Sequence, residues 1–379
     1  MSVSRGLRAH ARGVVSIAVA LAAFAFVVRV VPFRERCAEP GAPSTKLAIE
    51  RDDDGCTLRG PEPPRHLSKR ACEALACEPG LTSTMARAKP LTLVALLAVY
   101  LAATFAWAVR WFLLVRLGGL QLSVVRVWRV TLEAQAGGIL LPGGVGGDAL
   151  RVGAAVGHGA PPSVVFASVV LDRVIGLITL AGTAAAISLS VTGLAPGNGA
   201  TTLALAAFPV AFVLGLALVR AIGRSAWLQD RLASPPARAR GLVSFARPAI
   251  EYILSAGALR AIGSALLASF VVSLLQLGVV RGIIAALGVV PVAEGWVYLG
   301  TAMTFMIAAV PALPGAWGTA DAAFVFFLAR AGIQSETAFA VSLLYRSLWY
   351  LSGMIGACLH LARATVTTAA ARTTPAPRD

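Results

Sequence analysis

The sequence predicts an all-α polytopic membrane protein, with about six full transmembrane helices and two broken helical hairpins arranged as an inverted repeat. Three observations predict it. Of 379 residues, 57% are hydrophobic and only 13% charged, and several apolar runs are long enough to cross a hydrocarbon core of about 30 Å. The basic residues crowd into some loops and avoid others. Two apolar stretches are each interrupted near the middle by a Pro-Gly cluster.

The net charge of +15 could suggest nucleic acid, but its placement argues otherwise. Nearly all the basic residues are Arg, and most lie just outside apolar runs, as in cytoplasmic loops facing anionic lipid. Nucleic acid is therefore not an expected partner; membrane lipid is.

Full crossings are expected at 13–31, 91–109, 163–189, 201–219, 260–280 and 338–363. The first has the flanks of a signal peptide, "RGLRAHARG" before "VVSIAVALAAFAFVV". "RVVPFRERC" follows rather than a small-x-small cleavage site, so it reads as an uncleaved signal anchor. Residues 1–12, 110–129, 220–250 and 364–379 are Arg-rich and read as cytoplasmic. Residues 190–200 carry no charge and 282–296 and 332–337 one Glu each, so they read as external. Both termini are then expected in the cytoplasm.

Residues 1–31 form a tail and first helix in this scheme, and 364–379 a second cytoplasmic tail. Between them lie a hydrophilic extracytoplasmic block, 32–90, and a membrane core, 91–363, with half-repeats at about 110–190 and 282–363. The block contains Cys37, Cys56, Cys72 and Cys77. An even count on the oxidising side suggests two disulfides, with three pairings open. A metal site is the rival, though "CEALAC" is not a common zinc spacing. "DDD" at 52–54 reads as a solvated turn rather than a glycosyltransferase metal motif. Cys358, inside the last helix, reads as packing.

The broken stretches are 128–156 and 297–331. The first leaves and must regain the cytoplasmic side; the second leaves and must regain the external side. Irregular backbone at membrane depth is tolerated only where protein or a watery cavity surrounds it. Two re-entrant hairpins with tips meeting near the midplane are the simplest solution, although 297–331 also fits two short crossings. The breaks, "LPGGVGGD" (141–148) and "LPGAWGTAD" (313–321), match in order as well as composition. Asp148 precedes Arg173 by 25 residues, and Asp321 precedes Arg346 by 25. One half enters from inside and the other from outside, as in inverted repeats whose discontinuous helices build a midplane site.

Each break is followed by a half-helix, starting near Asp148 and near Thr319. A helix N-terminus offers unpaired N–H groups and partial positive charge, here at Gly146, Gly147, Gly318 and Thr319. Arg173 and Arg346 lie within apolar helices, where an unpaired guanidinium is costly but a phosphate can be gripped bidentately. Asp148 and Asp321 would balance the arginines in the absence of ligand, and a protonating Asp would be a means of ion coupling. The structural alternative makes Asp148 an N-cap paired with Arg151 at i,i+3. Asp172 and Arg173 lie about 100° apart on their helix and need different partners. Glu133 and Gln135 are further polar residues, either lining a cavity or bonding helix to helix. His158 has no assigned role. No catalytic residue, metal or cofactor is expected in the core.

The segments "VRWFLLVRLGG" (109–119), "LLPGGVGGDALRV" (140–152), "LDRVIGL" (171–177), "PALPGAWGTADAA" (311–323) and "LLYRSLWYLSGMIGA" (343–357) resemble the lysylphosphatidylglycerol synthetase transmembrane-region family. This is a flippase-like bacterial membrane domain found alone or fused to an aminoacyl-lipid synthase. The resemblance covers roughly 91–363. It implies movement of an anionic phospholipid or lipid-linked headgroup between leaflets of the cytoplasmic membrane. In the family the second break usually reads Pro-Gly-Gly-x-Gly ending in Glu; here Ala316 replaces a glycine and Asp321 the Glu. The chain also lacks the G-x-x-x-x-G-K-[ST] loop, so transport is expected to be downhill or ion-coupled. The rival readings are two. One is a lipid-modifying transferase, which needs a general base or metal at the membrane surface; only Asp148 and Glu133 come near to supplying it. The other is a non-transporting envelope-assembly partner acting through the Cys block.

Overall fold

The computed structural model describes residues 25, 29–31, 33, 35–39, 42–51, 55–59, 63–73, 75–78, 80–140, 145–192, 199–235, 238, 240–309 and 316–373. Most of the expected first crossing, the "DDD" turn, Pro142 and Pro314 lie outside the described residues. The chain divides into two compact units, residues 1–96, 280–304 and 317–346 in one, and 97–279, 305–316 and 347–379 in the other.

The first unit contains elements that the sequence reading left unassigned. Strands β1 (Arg36–Glu39), β2 (Ala42–Arg51), β3 (Gly55–Arg59), β4 (Arg65–Ser68) and β5 (Ala76–Glu78) form an antiparallel sheet in the order β4-β3-β2-β1-β5. Helix α1 (Lys69–Glu73) precedes β5. Alternate residues of a strand face one way, and here Leu47 and Ile49 join Cys56, Leu58 and Cys72 in a small core. Apart from the ten-residue β2 the strands are three to five residues long, and charged and hydroxyl residues interrupt their apolar positions, so a hydropathy profile conceals them. The disulfides are Cys37–Cys77 and Cys56–Cys72; the first joins facing residues of β1 and β5, and neither leaves a thiolate for metal. Short helix α2 (Leu81–Ala86) leads on to the membrane core.

The core is helical. In chain order it runs α3 (Pro90–Leu117), α4 (Val124–Leu140), α5 (Val145–Val156), α6 (Pro162–Thr192), α7 (Gly199–Gly223), α8 (Ala226–Ala233) and α9 (Arg240–Leu254). It continues with α10 (Ala258–Ala286), α11 (Glu294–Ala308), α12 (Thr319–Leu328) and α13 (Ser335–Thr373). Segments Pro90–Leu117, Pro162–Ser190, Thr202–Gly223 and Ala258–Ala286 are long and apolar enough to cross a membrane. The 39-residue α13 covers the crossing expected at 338–363 but is less apolar, since Tyr345, Arg346, Trp349 and Tyr350 lie within that crossing.

One expectation is corrected here. The first crossing of the core does not end at 109; α3 continues to Leu117, and Arg110 is a buried helical residue rather than a loop charge. The apolar "WFLLV" that follows it, with Trp111 and Leu114 fully buried, carries the helix on.

Both broken stretches consist of paired short helices. At 1.5 Å per residue, α4 and α5 (17 and 12 residues) and α11 and α12 (15 and 10 residues) are each too short to cross about 30 Å. A Cβ on Gly147 would lie 2.4 Å from the Ala134 carbonyl oxygen, and one on Gly137 2.6 Å from Leu150. Gly147 therefore lets α5 lie against α4. In the other hairpin, Gly300 makes room in the same way for Phe327, 2.8 Å from a built Cβ.

Candidate functional site: two aspartate–arginine pairs

Asp148 lies in the first turn of α5, where the helix end favours a negative charge. Its partner is Arg173, the twelfth residue of α6. Arg173 Nη2 lies 2.8 Å from Asp148 Oδ2 and its Nε donates to the same oxygen at 3.0 Å. The side chains are 37% and 26% exposed, so this pair is within reach of a ligand. The structural alternative, an Asp148–Arg151 pair, gives way to this one.

Arg151 turns instead to Asp172, which stands at the centre of a sealed cluster. Arg110 grips the Asp172 carboxylate with both prongs, Nε to Oδ1 at 2.6 Å and Nη2 to Oδ2 at 3.0 Å. Arg151 Nη1 donates to Oδ2 at 3.2 Å and Trp107 Nε1 at 3.1 Å. Arg110 Nη1 also donates to Ser269 at 2.9 Å, in space left open by Gly176, where a Cβ would come within 3.0 Å of that nitrogen. The Arg151 guanidinium lies 4.5 Å from the Trp107 ring centre and 5.2 Å from that of Trp111. Arg110, Arg151 and Asp172 are 6%, 2% and 1% exposed. Sequence reasoning missed Arg110 because it counted as a loop charge; the signal was Trp107 three residues earlier, a spacing that shares a helix face. The Asp172 field also reaches Tyr252 on α9. Burial, and then that charge, push the Tyr252 phenol above its ordinary range, keeping it a neutral donor to the Leu114 carbonyl at 3.0 Å.

The other unit holds the second pair. Arg346, the twelfth residue of α13, donates through Nη2 to Asp321 Oδ1 at 2.9 Å. Ser342 Oγ donates to the same oxygen at 2.5 Å. The Gly318 N–H, expected to face a ligand, instead donates to Asp321 Oδ2 at 2.8 Å. The acid sits three residues into α12 and so satisfies the N-cap donor itself. Thr319 begins α12, half-buried. Arg346 stacks 4.2 Å from the Trp317 ring centre, and its side chain and that of Asp321 are only 7% and 4% exposed. Before α12, Ala316 has φ 51 and Gly318 φ 78, both in the left-handed region that disfavours a Cβ.

The remaining polar residues have other partners. Glu133 pairs with Arg129, one turn away, and with His360, each at 3.3 Å. Gln135 Oε1 accepts from Ser352 on α13, a bond between helices. His158 sits in an exposed turn and its Nδ1 lies 2.7 Å from the Ala154 carbonyl. Cys358, expected to be packed, is exposed on α13.

Within each unit, then, an acid at a half-helix N-terminus meets an arginine 25 residues later. A family model described as the lysylphosphatidylglycerol synthase TM region matches residues 80–356, which include both pairs. No curated protein and no solved structure matches.

Proposed function

The chain belongs to the lysylphosphatidylglycerol synthase TM-region family, and from that premise we propose that it is a lipid translocase. It moves an anionic phospholipid or lipid-linked headgroup between the leaflets of the cytoplasmic membrane. Both termini lie in the cytoplasm and the disulfide-bonded block lies outside.

The observation that supports this reading best is the repeated Asp–Arg pair at a half-helix N-terminus. A guanidinium within an apolar helix bundle is kept there at a cost of several kcal/mol unless compensated. Two such groups in equivalent places serve binding better than scaffolding. Arg173 and Arg346 are the headgroup ligands, able to grip a phosphodiester with two parallel bonds. The paired carboxylates hold the guanidiniums while no headgroup is present. Acyl chains stay in the bilayer throughout, so only the headgroup needs a polar path.

The test is leaflet exchange in proteoliposomes carrying fluorescent phosphatidylglycerol. Wild-type protein speeds exchange and Arg173→Ala removes the acceleration. Exchange by Arg173→Ala at the wild-type rate would exclude the arginine from the mechanism.

A further inference from the structure

The two pairs differ in their charge surroundings. Asp321 and Arg346 match one to one, and the acid is held by three donors in a sealed environment. The first pair belongs to a larger group. Arg151 lies within electrostatic reach of Asp148 and Arg173 as well as Asp172 and Arg110. Three guanidiniums there face two carboxylates, leaving one positive charge among the described residues of the cluster.

Arg151 also has unused capacity. It is 2% exposed, and its Nε–H has no hydrogen-bond acceptor among the described residues. A buried donor without an acceptor is costly. The carboxylate best placed to reach it is Asp148, three residues earlier on α5 and so on the same helix face. Asp148 and Arg173 are the accessible members; Arg110, Arg151 and Asp172 are sealed behind Trp107 and Trp111.

We infer that Asp148 is an exchangeable counter-ion: a singly charged lipid phosphodiester displaces it from Arg173, and Arg151 then holds the displaced carboxylate. The inference rests on the translocase reading for the lipid nature of its ligand. The surplus of one charge sets the preference, because a monoanion neutralises the cluster. A zwitterionic headgroup brings its own cation and leaves the surplus uncompensated. Asp148 acts here as a competitor for Arg173, which makes it a specificity-determining residue of the first half. The second pair, matched one to one, carries no surplus and so sets no such preference.

The test is binding by full-length, detergent-solubilised protein, followed as ligand-dependent thermal stabilisation. The probes are short-chain phosphatidylglycerol, short-chain phosphatidylcholine and inorganic phosphate. Wild-type protein responds to phosphatidylglycerol and not to phosphatidylcholine. Asp148→Asn removes the competitor without leaving a buried orphan, and tightens phosphatidylglycerol binding by about tenfold. Asp148→Glu returns it to the wild-type value, which loss of a merely structural residue would not predict. Unchanged or weaker binding by Asp148→Asn overturns the proposal, and so does a phosphate response equal to that of the lipid. The two readings fail separately. Absent exchange in proteoliposomes with the binding pattern intact removes translocation alone. Exchange that depends on Arg173 with Asp148→Asn binding unchanged removes the counter-ion role alone.

Discussion

Ala316 shows how one methyl group bears on the second break. Its φ of 51 is a conformation in which an L side chain costs roughly 1–2 kcal/mol. Glycine would relieve the strain but add freedom to the unfolded chain, which offsets part of the gain. Ala316→Gly should therefore stabilise the protein by about 0.5–1 kcal/mol. A thermal melt in detergent should rise by a few degrees; a fall would mean that the alanine methyl packs better than its backbone suggests. The same scale separates the two aspartates. Asp148 is partly open, and exposed ion pairs contribute about 0–1 kcal/mol. Asp321 and Asp172 sit where loss of one partner strands a buried charge. Neighbouring sequence does not reveal this difference, since Asp148 and Asp321 both follow Gly-rich breaks.

Without a hydrophobic drive between helices in lipid, small residues let backbones approach. Gly356 on α13 is an extreme case: a Cβ there would lie 2.3 Å from the Leu132 carbonyl carbon and 2.6 Å from the Glu133 nitrogen of α4. These are backbone atoms, which cannot swing aside. Gly356→Ala should cost about 1–3 kcal/mol by overpacking, whereas Gly153→Ala and Gly182→Ala have open space and should be neutral or stabilising by up to about 1 kcal/mol. Melting temperatures of the three variants decide it, and a tolerated Gly356→Ala would mean that the two helices separate freely. The broken hairpins were legible in sequence at this scale because Pro-Gly clusters interrupt helices locally. The sheet was not, because most of its strands are only three to five residues long and their apolar positions are interrupted by polar ones.

For the whole molecule, the charge pattern of the loops and the cysteines bear on orientation. The four cysteines of the hydrophilic block form bridges closing 40 and 16 residues, and such bridges persist on the oxidising side. Detergent-solubilised protein should accept one thiol label, at Cys358, and five after reduction and denaturation. In intact cells, a reductant that cannot cross the membrane should open both bridges, read by the same label. Bridges that resist it until the cells are lysed would reverse the proposed orientation.

The membrane class, the two breaks and the couples Asp148–Arg173 and Asp321–Arg346 followed from sequence alone, because apolar run length, helix-breaking residues and a repeated spacing are properties of the chain itself. Tertiary structure alone decided that Arg110 and Arg151 share Asp172, residues 62 and 21 positions from it. It also chose the disulfide pairing among three and left one couple open while sealing the other. These outcomes depend on which helix faces meet and which strands pair, and no local pattern encodes the partner waiting on another element.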